Sequence, residues 1–142
     1  MRLRGHHLLC VLGFQGKGYS PGFVENMTRL VDELRSGRDV DLEIGYRHDD
    51  ICAPCPKRGP DGCVAKDHLS EWRVAIHDAR VMHRLGLQPG QRVRWSEVQA
   101  RIRQRMAPED LQTLCKGCPW LPLGVCADGI RALKVREEQT VA

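Results

Sequence analysis

The most restrictive feature of this sequence is a frame of three cysteines that occurs twice. CAPCPKRGPDGC, which starts at Cys52, and CKGCPWLPLGVC, which starts at Cys115, both read Cys-x-x-Cys-Pro, then six residues and a third Cys. Two residues between the first cysteines allow a tight turn that points both sulfur atoms the same way. Thiolates suit zinc and iron–sulfur clusters better than harder metals. The repeat therefore predicts two metal-binding loops, at about residues 46–66 and 115–127.

The composition is typical of a small globular protein. The chain has 142 residues, 42% apolar and 28% charged, and this length predicts a single metal-binding domain over 1–142. No apolar run approaches the ~20 residues that cross a bilayer, and the stretch HHLLCVLGF is not followed by the cleavage site of a signal peptide. We therefore predict a cytoplasmic protein without membrane contact. In that reducing compartment its seven cysteines are expected to bind metal rather than to form disulfides.

Apolar periodicity predicts a mostly α fold with a short strand or two. Ser20 and Pro21 form a typical helix start, apolar residues then recur with helical spacing, and Gly37 ends the helix. Residues 40–44 alternate as in a half-buried strand. Further helices are predicted at about 2–14, at 68–85 with Trp72 on the apolar stripe, at 96–106 with Ser96 as N-cap, at 108–115 and at 128–137.

The ligand sets available to the two loops differ. The first loop can close a four-ligand site with His68, whereas only Asp128 lies close after the second loop. A cubane cluster usually takes four thiolates, and the remaining cysteine, Cys10, can complete one of the two sites. The sequence leaves open which loop receives Cys10. The candidate metal ligands are Cys10, Cys52, Cys55, Cys63, Cys115, Cys118 and Cys126.

Two histidines precede Cys10 at helical spacing. His6 and His7 lie four and three residues before it, so one of them shares its helix face. They can ligate a metal, donate a hydrogen bond to a cluster sulfur atom, or serve as core histidines. Asp49 and Asp50, just before Cys52, are interpreted as turn and cap residues.

Three segments carry a family resemblance. RLRGHHLLCVLGFQGKGYSPGFVENM, DDICAPCP and CKGCPW resemble the domain-of-unknown-function family 1284, small bacterial and archaeal proteins of about this length. The resemblance extends over nearly the whole chain, and its most specific part is the opening segment. It implies iron–sulfur binding and brings no established reaction, substrate or partner. It also implies candidate positions at His6, His7 and the seven cysteines.

Three hypotheses of function follow from these patterns. The first is an iron–sulfur protein with one or two clusters, of the [4Fe–4S] type by thiolate count, that transfers electrons to an unknown partner or senses redox or iron status. The second is a zinc-stabilised module whose basic face contacts nucleic acid or an acidic protein, because arginines concentrate in the middle third of the chain. The third is a metal-dependent enzyme with an open coordination position. No catalytic residue is predicted.

Overall fold

A computed structural model describes residues 1–16, 18, 20–45, 47–59, 62–63, 70–118 and 121–141, with backbone alone for 62–63 and 137–141. The fold is mostly α with a few strands, as the sequence predicts. The helices of the described residues are α1 (His7–Gly13), α2 (Pro21–Arg35), α3 (Ser70–Leu85), α4 (Trp95–Arg105), α5 (Leu111–Leu114) and α6 (Val125–Val141). The strands are β1 (Arg2–Arg4), β2 (Asp41–Gly45), β3 (Arg58–Gly59), β4 (Gly62–Cys63) and β5 (Arg92–Arg94). Single 3₁₀ turns cover Pro108–Asp110 and Leu121–Leu123.

The strands form two small sheets. In the first sheet β2 lies in the centre, parallel to β1 with Leu3 opposite Ile44, and antiparallel to β5 with Leu42 opposite Val93. The second sheet is the β3–β4 hairpin of the first cysteine loop. The first sheet fixes the start of α1, because β1 leads into that helix after only two residues.

Helix α2 forms as its sequence predicts. Oγ of Ser20 accepts a hydrogen bond of 3.1 Å from the Phe23 N–H, and Pro21 occupies the first helical position. The apolar stripe of the helix is buried in a core that it shares with β1, β2, α1, α3, α4 and α6. None of the described helices combines the length and the hydrophobicity needed to cross a membrane.

Three local predictions are wrong. Residues 2–4 form strand β1 instead of the first turn of a helix, because their N–H and C=O groups pair with strand β2. Helix α4 begins at Trp95, and Ser96 donates from its N–H and its hydroxyl to Asp39 instead of capping the helix. Trp72 is 68% exposed, while Asp78 of the same helix is fully buried.

Helices α1 and α6 pack in very close contact through two glycines. A Cβ added at Gly13 would lie 2.6 Å from the backbone N of Cys126, and a Cβ at Gly129 would lie 2.6 Å from the carbonyl oxygen of Leu12. Real Cβ atoms essentially never come this close to other heavy atoms. The absence of two side chains therefore lets the backbones of the first and last helices touch. This contact brings Cys10 to Cys126.

Candidate metal centres

Cys10 joins the second cysteine loop. Its thiol shares a hydrogen bond with Cys126 and interacts electrostatically with Cys115 and Cys118. Cys10, Cys115 and Cys126 are each 8% exposed, and Cys118 is half-buried. Four sulfur atoms from α1, the end of α5 and α6 thus converge under the protein surface. None of the six cysteines whose side chains are described forms a disulfide.

The four thiols cannot all ionise without a cation. The hydrogen bond to Cys126 and burial raise the pKa of Cys10 well above its ordinary value, and the same hydrogen bond, donated by Cys10, lowers the pKa of Cys126. Burial, followed by the charges of Cys118 and Cys126, raises the pKa of Cys115 to about 12. Several thiolates held close together and largely out of water repel each other, and a bound metal cation offsets this repulsion. The donor set therefore fits a thiolate-bound metal group.

The sequence repeat is also a structural repeat. In the second loop the Cys118 N–H donates to the Cys115 carbonyl at 2.9 Å, and the Leu121 N–H donates to the Cys118 carbonyl at 3.1 Å. In the first loop Cys55 and Arg58 make the same two bonds, to the carbonyls of Cys52 and Cys55, at 2.9 and 3.1 Å. Both Cys-x-x-Cys segments therefore form the tight turn that their spacing predicts.

The first loop is held by a buried aspartate. Oδ1 of Asp49 accepts hydrogen bonds from the N–H groups of Ile51 and Cys52, each at 3.0 Å. Burial and the negative charge of Asp49 raise the pKa of the Cys52 thiol to about 12. Ligand atoms of His7, Asp49 and Cys52 all lie within 4.8 Å of one another. Asp49 is thus the turn residue that the sequence predicts, and it also contacts α1.

His6 belongs to a second buried network. Its Nδ1 lies 2.6 Å from Oδ1 of Asp78, whose Oδ2 accepts from Nε of Arg4 at 2.8 Å. Arg4 also donates to both carboxylate oxygens of Glu71 at 3.1 Å. Burial opposes ionisation of Asp78, but the hydrogen bond and charge of His6 and the charge of Arg4 outweigh it and lower the pKa of Asp78. Arg4 and Asp78 therefore form a buried ion pair that connects β1 to α3.

His77 is a site residue that the sequence does not single out. Its Nε2 lies 3.3 Å from Sγ of Cys115, and its ring stacks on that of His6 with centroids 4.6 Å apart. The His6 ring in turn lies 4.3 Å from that of His7. Three imidazoles therefore bridge the space between the two cysteine loops. The contacts of His77 with Cys115 and His6 arise only in the folded chain, so the sequence alone does not indicate them.

The remaining candidates lie elsewhere. The side chain of Cys63 and the whole of His68 fall outside the described residues. Asp128 is exposed on α6 and accepts a hydrogen bond of 2.9 Å from Arg131. His48 lies within the first loop, where its Nδ1 accepts from Nε of Arg58 at 2.9 Å.

Comparison with known proteins gives one match. The family described as "Protein of unknown function (DUF1284)" matches residues 18–124, most of the chain. The chain belongs to this family. Five of the seven cysteines of this DUF1284 protein lie within the matched span, whereas His7, Cys10 and Cys126 lie outside it. No curated protein and no solved structure matches the chain.

Proposed function

We propose that this DUF1284 protein is an iron–sulfur protein of the cytoplasm that transfers electrons or senses redox or iron status. Its cluster, a [4Fe–4S] group, would be held by Cys10, Cys115, Cys118 and Cys126. The observation that carries the proposal is the convergence of Cys10 with the three cysteines of the second loop. When bound, such a cluster supplies one-electron redox chemistry.

The number of thiols and the family resemblance support a cluster over a single zinc ion. Cys10, Cys115, Cys118 and Cys126 supply four thiolates, and a cubane usually takes four, one on each iron. The family resemblance of the sequence also implies iron–sulfur binding.

The chain supplies the environment of the group. Burial of Cys10, Cys115 and Cys126 excludes most water from the thiolates. His77, placed 3.3 Å from Sγ of Cys115, can donate a hydrogen bond to a ligating sulfur atom. Burial and hydrogen bonds to sulfur are the two means by which proteins set the potential of a cluster.

A nucleic-acid-binding role has less support than the cluster, because two arginines of the middle third are engaged in contacts within the fold. Arg84 pairs with Asp110 at 2.6 Å and donates to the Arg105 carbonyl. Arg101 donates to Glu97 and to the carbonyls of Leu85 and Gly86. These two guanidinium groups connect elements of the fold, so they are not available as a basic surface.

The test is the iron and acid-labile sulfide content of protein purified without oxygen and without a histidine tag. We expect about four irons and four sulfides per chain, with a broad charge-transfer absorption that dithionite bleaches reversibly. Cys10→Ser should lose most of this iron and sulfide. Cys52→Ser, the matched control in the first loop, should retain it. Wild-type protein that lacks sulfide under these conditions would contradict the proposal.

A further inference from the structure

The contact between His7 and the first cysteine loop points to a second, different metal site. His7 starts α1, far from the loop in sequence, yet one of its ring nitrogens lies within 4.8 Å of Sγ of Cys52. A nitrogen and a sulfur donor this close together suit one metal ion rather than a cluster.

Asp49 orients His7 and is not itself available as a ligand. Oδ2 of Asp49 accepts from the Arg4 N–H and from Nδ1 of His7, both at 2.7 Å. Its Oδ1 accepts from the N–H groups of Ile51 and Cys52. A carboxylate offers about four lone-pair positions, and these four donors use them. Because Nδ1 of His7 carries a proton toward Asp49, the lone pair of His7 is on Nε2, the arrangement seen in carboxylate–histidine–zinc sites.

We propose that Nε2 of His7 and the thiolates of Cys52 and Cys55 bind a single Zn²⁺ ion, with Asp49 as the positioning residue. The tight turn of the first loop brings Cys55 next to Cys52. The ion ties α1 to the first loop, so α1 contributes one ligand to each centre: His7 to this zinc site and Cys10 to the cluster. Imidazole nitrogen and thiolate sulfur are the donors of structural zinc sites.

His48 lies within this loop but does not fit the role. The Nε–H of Arg58 always donates, so Nδ1 of His48 must accept and Nε2 of His48 must carry the proton. His6 does not fit either, because its Nδ1 pairs with Asp78 and its ring stacks on His77. Both residues therefore provide control positions.

The experiment measures zinc, iron and sulfide together on anaerobically purified full-length chains. His7→Asn keeps an N–H donor where Nδ1 contacts Asp49 but removes Nε2. His6→Asn is the matched control, because it makes the same change in the neighbouring histidine–aspartate pair. Competition with a chromophoric chelator gives the Zn²⁺ affinity. X-ray absorption at the zinc edge of the wild-type protein reports an imidazole ligand without any substitution.

We expect about one zinc per wild-type chain, with imidazole and sulfur scattering at the zinc edge. His7→Asn should weaken Zn²⁺ binding more than about 100-fold and Asp49→Asn about 10- to 100-fold, since losing a ligand costs more than losing its orienting partner. His6→Asn and His48→Asn should bind zinc like the wild type. Iron and sulfide should not change in His7→Asn.

Three results would overturn the assignment: no imidazole at the zinc edge, unchanged zinc affinity in His7→Asn, or about eight irons per chain, which would place a cluster in the first loop. The zinc edge of the wild-type protein decides the question even if a variant fails to fold. Loss of zinc in His7→Asn from a protein without iron and sulfide would support the zinc site while contradicting the cluster.

Discussion

Nε2 of His77 lies 3.3 Å from Sγ of Cys115, a contact between α3 and the start of the second cysteine loop. Burial, followed by the charge of His6, lowers the pKa of His77 to about 3, so the ring is neutral at pH 7. A neutral imidazole that carries its proton on Nε2 donates a hydrogen bond to sulfur. Such a bond strengthens when a cluster gains an electron, so it stabilises the reduced form.

His77→Leu should therefore lower the reduction potential of the proposed cluster. A hydrogen bond worth about 1 kcal/mol corresponds to about 40 mV for a one-electron couple. Potentiometric titration followed by EPR measures this shift. His83→Leu, an exposed position on the same helix, is the control and should leave the potential unchanged. An unaltered potential in His77→Leu would show that the contact does not tune the cluster.

Gly13→Ala should separate α1 from α6. The added Cβ would lie 2.6 Å from backbone atoms of Val125 and Cys126, and backbone cannot move aside as a flexible side chain can. We expect a loss of stability of about 1–3 kcal/mol, typical of overpacking, and reduced iron content because Cys10 moves away from Cys126. Urea unfolding and iron analysis provide the two measurements.

Gly22→Ala is the control for that substitution. Gly22 lies in the first turn of α2, where an added Cβ meets nothing within 4 Å. Alanine should stabilise the protein by roughly 0.4–1 kcal/mol, because it restricts the unfolded chain. Equal effects of the two substitutions would rule out a specific role for the α1–α6 contact.

Asp78→Ala should be among the most destabilising single changes. Asp78 is fully buried and accepts hydrogen bonds from Arg4 and from His6, so its removal leaves a buried guanidinium poorly compensated. Breaking a buried ion pair costs about 3–5 kcal/mol. Arg131→Ala removes the exposed pair with Asp128 and should cost less than about 1 kcal/mol. Thermal unfolding of both variants checks this ranking, and similar costs would contradict it.

Asp39 should make stability depend on acid pH. Hydrogen bonds from the N–H and then the hydroxyl of Ser96 lower the pKa of Asp39 below 3.8, its ordinary value. A carboxylate with a lowered pKa in the folded state stabilises the fold above the unfolded pKa and loses this effect as the pH falls through the folded one. The advantage of the wild type over Asp39→Asn should therefore be constant above about pH 5 and decline below 3.8.

Paired urea titrations of the two metal-free proteins measure this difference. Removing any bound metal beforehand matters, because acid would protonate its thiolate ligands in both proteins and mask the effect of one carboxylate. A difference that stays constant down to the lowest pH would mean that Asp39 does not contribute through its charge.

The sequence reveals those features that depend on local chemistry. Ser20, Pro21 and the apolar spacing after them define α2, and the Cys-x-x-Cys spacing defines both tight turns. The orientation of α3 does not follow from the local sequence. Asp78 is buried because it pairs with Arg4, whereas apolar periodicity predicts an aspartate on the exposed face of the helix. The partner of Cys10 could not be predicted either, since it depends on two glycines that allow α1 and α6 to touch.

The α1–α6 contact also sets an order of events during synthesis. Cys10 leaves the ribosome long before Cys126, and at 5–20 residues per second the delay is on the order of ten seconds. Throughout that time the apolar residues of α1 are not covered by α6, and Cys10 does not yet lie next to Cys126. If metal reached the second loop before α6 is made, only Cys115 and Cys118 of that loop would be available as ligands. Assembly of the proposed centre therefore waits for α6, and until then Cys10 is a thiol without its partner in the last helix.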